Sequence, residues 1–502
     1  MAVYRKVFFI CSLLTISVNA TLALANNSMK HDEPHAGMDS SAQAPLPSLV
    51  KVNNLDLPSY ITLPKGKPLM PLPLIKNAST EVNLFTTTLL VEEAAIPLID
   101  KQPAINLWLY NSTLLPLIEL KVGDEFVVNV VNKLPQETTI HWHGLNVPAS
   151  QDGNPQDPIK QGQSHLYQFK ITEDMVGSHW FHPHTHNFVA EQMAKGLEGA
   201  FIIRDPHDPL QGIPEQNLFF SDLKLNAQGQ IAPNSMFDNM NGREGQFALI
   251  NGGWQPVINL QGTQRWRLWN GNSGRYLNLA FPKDQVESFL VGNDGGLLEK
   301  PIPIEEILLS PSERAEIVLT PKKNGQFLLI AKKYDRHKMG NIAPEQDLVL
   351  ATVNTQEEKK ITLPNKLRTI ADFGKPTVKR RLVYSEDNQM NFLINGKKFD
   401  MGRIDIASKV NQVEEWEIFN NSHMNHNFHL HGHQFLVKEF ESEKGNITKP
   451  AYKLLKDSIN LKPYETIRVI VKQDKPGIRM YHCHIIEHEK AGMMGQVEVA
   501  EF

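Results

Sequence analysis

Four pairs of histidines, each with one residue between them, constrain this 502-residue chain more than anything else in it: 141/143, 182/184, 429/431 and 482/484. On a β-strand the side chains at i and i+2 share a face while i+1 takes the other. Each pair therefore aims two imidazoles at one place, and the eight converge only if the first and last thirds of the chain fold against each other. Fourteen of the 19 histidines fall in the stretches around these pairs, and none lies between residues 208 and 336. The outer thirds are expected to carry the chemistry, with the middle third as a spacer. One ion cannot use eight imidazoles, so a cluster of metals is implied.

Cys483 stands between His482 and His484 and must point the opposite way, towards a second site. His488 and Met493 follow at +5 and +10, and His426 comes from the preceding cluster. Two imidazoles, a thiolate and a weak thioether make the trigonal copper site used for electron transfer. Zinc prefers closed tetrahedral sets and has no use for an axial methionine.

Residues 1–25 read as a secretory leader. Arg5 and Lys6 precede an apolar run, and Ala23-Leu24-Ala25 supplies the cleavage site. Its removal takes away Cys11 and leaves Cys483 as the only cysteine, so no internal disulfide is expected. It also leaves 49 basic against 55 acidic residues, a balance that excludes nucleic acid as a partner. The expected location is the periplasm or outside the cell, with no membrane insertion after cleavage. Residues 26–58 are polar and read as a flexible leader, with Met29, His31, His35 and Met38 scattered through it.

The remainder is rich in short β-branched runs such as "DEFVVNVVNKL" broken by turn residues, and its length suggests about three domains. "YNSTLLPLIELKVGDEFVVNVVN", "INGGWQPVINLQGTQRWRLWN" and "INGKKFDMGRIDIASKVNQVEEWEIFN" echo one another. Their leading asparagines, 111, 251 and 395, are 140 and 144 residues apart. Three similar β-domains of Greek-key type are expected.

The motifs "HWHGL", "HWFHPHTH", "HNFHLHGHQF" and "YHCHIIEHEKAGMM" resemble the four copper-binding signatures of the multicopper oxidases, a family that includes bacterial three-domain laccases, cuprous oxidases and bilirubin oxidases. The resemblance spans the chain beyond the leader. It implies an all-β fold of three cupredoxin-like Greek-key sandwiches, at 59–206, 207–360 and 361–502, and four copper ions. Type 1 copper would take His426, Cys483, His488 and Met493. Type 2 would take His141 and His429. The type 3 pair would take His143, His182, His184, His431, His482 and His484. Asp152 and Glu489 match family carboxylates that relay protons, and Cys483 would carry electrons. His179, His186, His423 and His433 are left without a ligand role.

The implied activity is one-electron oxidation of a reductant coupled to four-electron reduction of O2 to water, by a monomer. Cuprous oxidases of the family often carry a methionine-rich insert over the type 1 copper. Here only Met424, expected to pack, and Met236 and Met240 resemble such a site. The type 1 edge is therefore expected to be open to bulky phenols, as in laccases, with cuprous or ferrous ions as the alternative reductant. A non-catalytic copper protein and a two-domain copper nitrite reductase are disfavoured by the twelve complete ligands and three domains.

Overall fold

Alternation builds the sheets. In Glu125–Asn132 (EFVVNVVN) every second side chain is buried, Phe126, Val128, Val130 and Asn132 among them, the pattern of a strand with one face on a core. This computed structural model describes residues 57–99, 102–387 and 389–501. The leader at 1–25 and the scattered methionines and histidines of the 26–58 segment lie outside the described residues.

The fold of the described residues is all-β, with six sheets in three cupredoxin-like sandwiches. In the first, the sheet of Ile105–Tyr110, Leu84–Ile96, Glu125–Asn132 and Ser164–Lys170 faces that of Leu117–Lys121, Gly199–Arg204, Gly177–His182 and His141–His143. Phe126, Trp142 and Phe201 fill the space between them. The middle and last sandwiches each pair a seven-stranded with a five-stranded sheet. Equivalent parallel pairings recur: Leu84–Ile96 with Glu125–Asn132, Glu215–Leu223 with Gln264–Asn270, and Val378–Glu386 with Val413–Asn421.

The asparagine repeat has a structural cause. Asn111, Asn251 and Asn395 all adopt left-handed backbone, with φ of 52°, 52° and 51°, which asparagine tolerates better than most residues. Each Oδ1 accepts a backbone N–H from the strand it turns towards: Leu90 at 2.7 Å, Phe219 at 2.8 Å and Val383 at 2.8 Å. The three asparagines that close the repeats, Asn132, Asn270 and Asn420, are buried. Their amides donate to the carbonyls of Ile159, Leu309 and Leu461, 27 to 41 residues further along the chain. A buried amide satisfied this way costs little, whereas an unpaired one costs about 1–3 kcal/mol.

Among the described residues three short α-helices, Val189–Ala194, Met236–Asn241 and Ile486–Lys490, connect these strands. The second opens on a reciprocal cap between Ser235 and Asp238, and the third packs against both others. No helix among the described residues is long and apolar enough to cross a membrane.

Candidate metal centres

Strand parity sorts the ligands into two places. His141–His143 pairs antiparallel with Gly177–His182, setting His141 opposite His182. His426–Leu430 pairs with Gly477–His482, setting His429 opposite His482. Trp142, between its two histidines, turns into the first core and meets Phe126 edge-on at 5.0 Å. Phe428 and Leu430 enter the third core, as do Tyr481, Cys483 and Ile485. His426 shares a face with the former group, and His429, His482 and His484 take the other face. Only the pair 141/143 lies wholly within a strand; 184, 431 and 484 fall just past strand ends, with Pro183 terminating the strand that carries His182.

The eight outer-face imidazoles gather in one buried cluster. Ring nitrogens of His143, His182 and His484 form one close group, those of His184, His431 and His482 a second, and His141 and His429 stand together with His143. Neighbouring nitrogens approach to 3.1 Å (His184–His482), 3.2 Å (His431–His482) and 3.3 Å (His182–His484).

These contacts fit metal ions rather than a hydrogen-bonded core. A neutral imidazole has one N–H, and burial and the neighbouring rings hold His182, His184, His429, His431, His482 and His484 neutral, below the usual histidine value. His482 and His182 commit that N–H from Nδ1 to the carbonyls of Cys483 and Pro183, and His431 commits its own to Asp152. The Nε2 atoms of His431 and His482 thus point lone pairs at each other, which only a cation between them makes favourable. Nitrogens about 2.0 Å from one ion stand slightly over 3 Å apart at tetrahedral angles. His141 and His429 donate from Nδ1 to the carbonyls of Asp152 and Asp457, and both Nε2 atoms are buried with no partner. Carbonyl acceptors of this kind fix tautomer and ring orientation in metal sites.

The second centre lies inside the third sandwich. His426 Nδ1 and His488 Nδ1 are 3.1 Å apart, and Cys483 Sγ is 3.7 and 3.9 Å from them. Met493 is buried in the same core; its carbonyl accepts the Cys483 N–H and its N–H donates to the His488 carbonyl. Burial pushes the Cys483 thiol up to about 12, so it ionises only against a bound cation, the behaviour of a metal-ligating thiol.

The edge of this centre is not open, contrary to the sequence expectation. His426 and His488 are both 0% exposed. His488 Nε2 donates to the Met240 carbonyl at 3.1 Å, so the helix carrying Met236 and Met240 covers that ring. His426 Nε2 meets Glu386 Oε1 at 3.1 Å and Ser422 Oγ at 3.0 Å. Met424 packs in the core as expected.

Asp152 is fully buried. It reaches His431 Nδ1 at 3.2 Å and Arg479 Nη1 at 3.1 Å. Burial opposes its ionisation, but the hydrogen bonds from His141 and the Arg479 guanidinium outweigh it and hold the carboxyl below its usual range. Glu489 Oε1 lies 3.7 Å from His184 Nε2, and Oε2 lies 3.2 Å from His482 Nδ1. Burial, with Glu487 nearby, pushes its carboxyl well above the usual range. His179 is buried against the Met175 carbonyl, His186 lies on Phe399, and His433 lies on Phe373. His423 is half exposed, 3.7 Å from Glu386.

Sequence reasoning missed Glu386, Ser422, Asp457, Ser458, Arg314 and Arg479. They arrive from separate elements, and no local spacing marks them.

A soft sulfur–nitrogen group in a cupredoxin-like core, joined through one residue on either side to a buried imidazole cluster, defines a copper oxidoreductase. Multicopper oxidase domain profiles match residues 93–208 and 372–502. A multicopper oxidase of Staphylococcus aureus is 33% identical over 404 residues, 78% of this chain and 83% of that protein. Among solved structures, a multicopper oxidase from Campylobacter jejuni described as a metallo-oxidase is 41% identical, with a TM-score of 0.86, covering 89% of this chain and 98% of that one. A laccase from Pediococcus acidilactici is 28% identical with a TM-score of 0.76, covering 90% and 99%. This chain belongs to the multicopper oxidase family and is a copper-dependent oxidase that uses O2.

Proposed function

We propose that the chain is an exported metallo-oxidase that takes electrons from a small metal ion, cuprous or ferrous, at the Glu386 edge of the type 1 centre. The observation that carries this reading is the closed edge: both imidazoles are 0% exposed, and a carboxylate, beside the Ser422 hydroxyl, lies against His426 Nε2. A cation is attracted to Glu386, and a small one needs no open cleft against the ring. The relative from Campylobacter jejuni, described as a metallo-oxidase, supports the same choice.

His426, Cys483, His488 and Met493 are assigned to type 1 copper, and His141 and His429 to type 2. The type 3 pair is assigned His143, His182 and His484 on one side and His184, His431 and His482 on the other. This grouping follows the close sets of ring nitrogens. Copper, when bound, supplies the one-electron chemistry and the reduction of O2. Cys483 holds the two centres a few covalent bonds apart, since both its chain neighbours are cluster ligands. Asp152 holds the His431 ring through Nδ1 and is itself held by Arg479. Glu489, whose protonated form burial favours, would deliver a proton beside His184 towards the cluster. Cleavage after Ala25, action in the periplasm or outside the cell, domains at 59–206, 207–360 and 361–502, and a monomeric state complete the proposal.

Phenols remain a second reading, favoured by one feature. A surface cavity of about 720 Å3, lined by Asp335, His337, Glu345 and His423 among others, opens beside Glu386's neighbour His423, and it is large enough for a substituted phenol. Oxygen uptake with cuprous ion, ferrous ion and a dimethoxyphenol separates the two. The metal-ion reading expects faster turnover of one of the ions, and Glu386→Gln to lower kcat/KM for it roughly tenfold, about 1.4 kcal/mol, more than for the phenol. Faster phenol turnover, indifferent to Glu386→Gln, overturns it.

A further inference from the structure

The middle sandwich carries no copper ligand, yet it reaches the cluster through Arg314, the first residue of the strand Arg314–Pro321. This side chain is 1% exposed and uses all five of its N–H donors. Nη1 and Nη2 clamp Asp457 at 2.6 and 2.5 Å. Nη1 also donates to the Ser312 carbonyl, Nη2 to the Asp294 carbonyl, and Nε to the Ser178 carbonyl. Ser178 belongs to the strand that ends in His182, and Asp457 precedes the strand Ser458–Leu461 of the third sandwich. One guanidinium thus ties together all three sandwiches.

What it holds is the outer side of two ligands. Asp457 Oδ1 accepts from His143 Nε2 at 3.1 Å, and the Asp457 carbonyl accepts from His429 Nδ1 at 2.8 Å. Ser458 Oγ lies 3.3 Å from His143 Nε2 and 3.2 Å from His429 Nδ1, and is bonded to Ser312 Oγ of the middle sandwich at 2.8 Å. The two rings stack at 3.9 Å and 14°, although one comes from the first sandwich and the other from the third. Gly144, directly after His143, closes over this network. A Cβ there would sit 2.5 Å from Arg314 Nη2 and 2.8 Å from Asp457 Oδ2, so the position is shaped around the pair.

From this we infer that Arg314, Asp457 and Ser458 are positioning residues, through which the middle sandwich sets the orientation of His143 and His429 and hence the spacing between the type 2 position and one type 3 position. The inference rests on the ligand assignment above. A planar fork satisfies this geometry and an ammonium does not, and partners that orient metal ligands typically govern affinity by roughly 10–100-fold.

The test uses the copper-loaded full chain and the variants Asp457→Asn, Arg314→Lys and the milder Ser458→Ala. Each is read by visible absorption of the type 1 centre, by the electron paramagnetic resonance spectrum of type 2 copper, and by copper loss to a chelator. The expected result is unchanged type 1 absorption, an altered type 2 spectrum, and cluster copper lost roughly 10–100-fold faster in Asp457→Asn, with a smaller effect in Ser458→Ala. Wild-type spectrum and copper retention in all three variants overturn the positioning role. So does equal loss of type 1 absorption and cluster copper in Ser458→Ala, because it marks general destabilisation. If the wild-type protein shows no type 2 signal when loaded, the ligand assignment has failed instead.

Discussion

Asp152 and His431 are joined by a buried contact of 3.2 Å between Oδ2 and Nδ1, across 279 residues of sequence and two sandwiches. The same oxygen accepts from Arg479, while the His431 ring stacks on His141 at 3.7 Å. In Asp152→Asn a single amide oxygen faces donors that the carboxylate served with charge, and an unsatisfied buried donor costs about 1–3 kcal/mol. The variant should keep type 1 absorption and normal reduction of that centre by substrate, with reoxidation by O2 slowed about 10–100-fold. Stopped-flow reoxidation measures this, and a wild-type rate would remove Asp152 from the oxygen-reducing half of the reaction.

Glu489 predicts a different signature. Its carboxyl lies between two cluster imidazoles, 3.2 Å from His482 Nδ1 and 3.7 Å from His184 Nε2, and burial favours its protonated form. Glu489→Gln preserves shape and hydrogen-bonding capacity but cannot release a proton. Copper content should be normal, and reoxidation should slow by roughly 10–100-fold, the scale of general acid catalysis. Fast reoxidation in this variant would make the acid a bystander.

Acid stability should depend on Glu316 of the middle sandwich. Burial alone would raise its carboxyl, but Arg265, Arg267 and a hydrogen bond from Ser178 outweigh this and hold it at about 2. A folded-state value below the unfolded one, about 4.3, stabilises the fold fully above that unfolded value. The contribution is lost as pH falls from there towards about 2. Glu316→Gln removes the carboxylate that Arg265 and Arg267 share, although Arg265 keeps Asp208 and Arg267 keeps Glu215, and should cost about 1–3 kcal/mol at neutral pH. It should also flatten the fall of Tm between about pH 4.5 and pH 2. Parallel Tm curves for variant and wild type across that window would contradict this account.

Parity and turn chemistry made much of this protein legible. Period-two geometry separated Cys483 from His482 and His484, and the structure has them on opposite faces even though only His482 lies within the strand. Asn111, Asn251 and Asn395 marked equivalent turns because few residues accept φ near 52° and also bond across to the next strand. The contribution of the middle third was not legible. Arg314 is one of many arginines, and its meaning depends on Asp457, 143 residues later. The closed type 1 edge was equally hidden. Met236 and Met240 are too few to mark a methionine-rich insert, and only the fold places their short helix over His488. The Glu386–His426 contact joins two strands of the third sandwich with no shared motif.

The central claim, a type 1 copper built on Cys483 and coupled to a separate cluster, is tested most directly by copper content and visible absorption of the wild-type protein beside Cys483→Ser. Serine keeps the size of the side chain but removes the thiolate that gives blue copper its colour. The wild type should bind about four copper ions per chain and be intensely blue; the variant should fold, keep about three and be colourless. Undiminished blue absorption in Cys483→Ser, or a wild type that binds a single ion, would contradict the account.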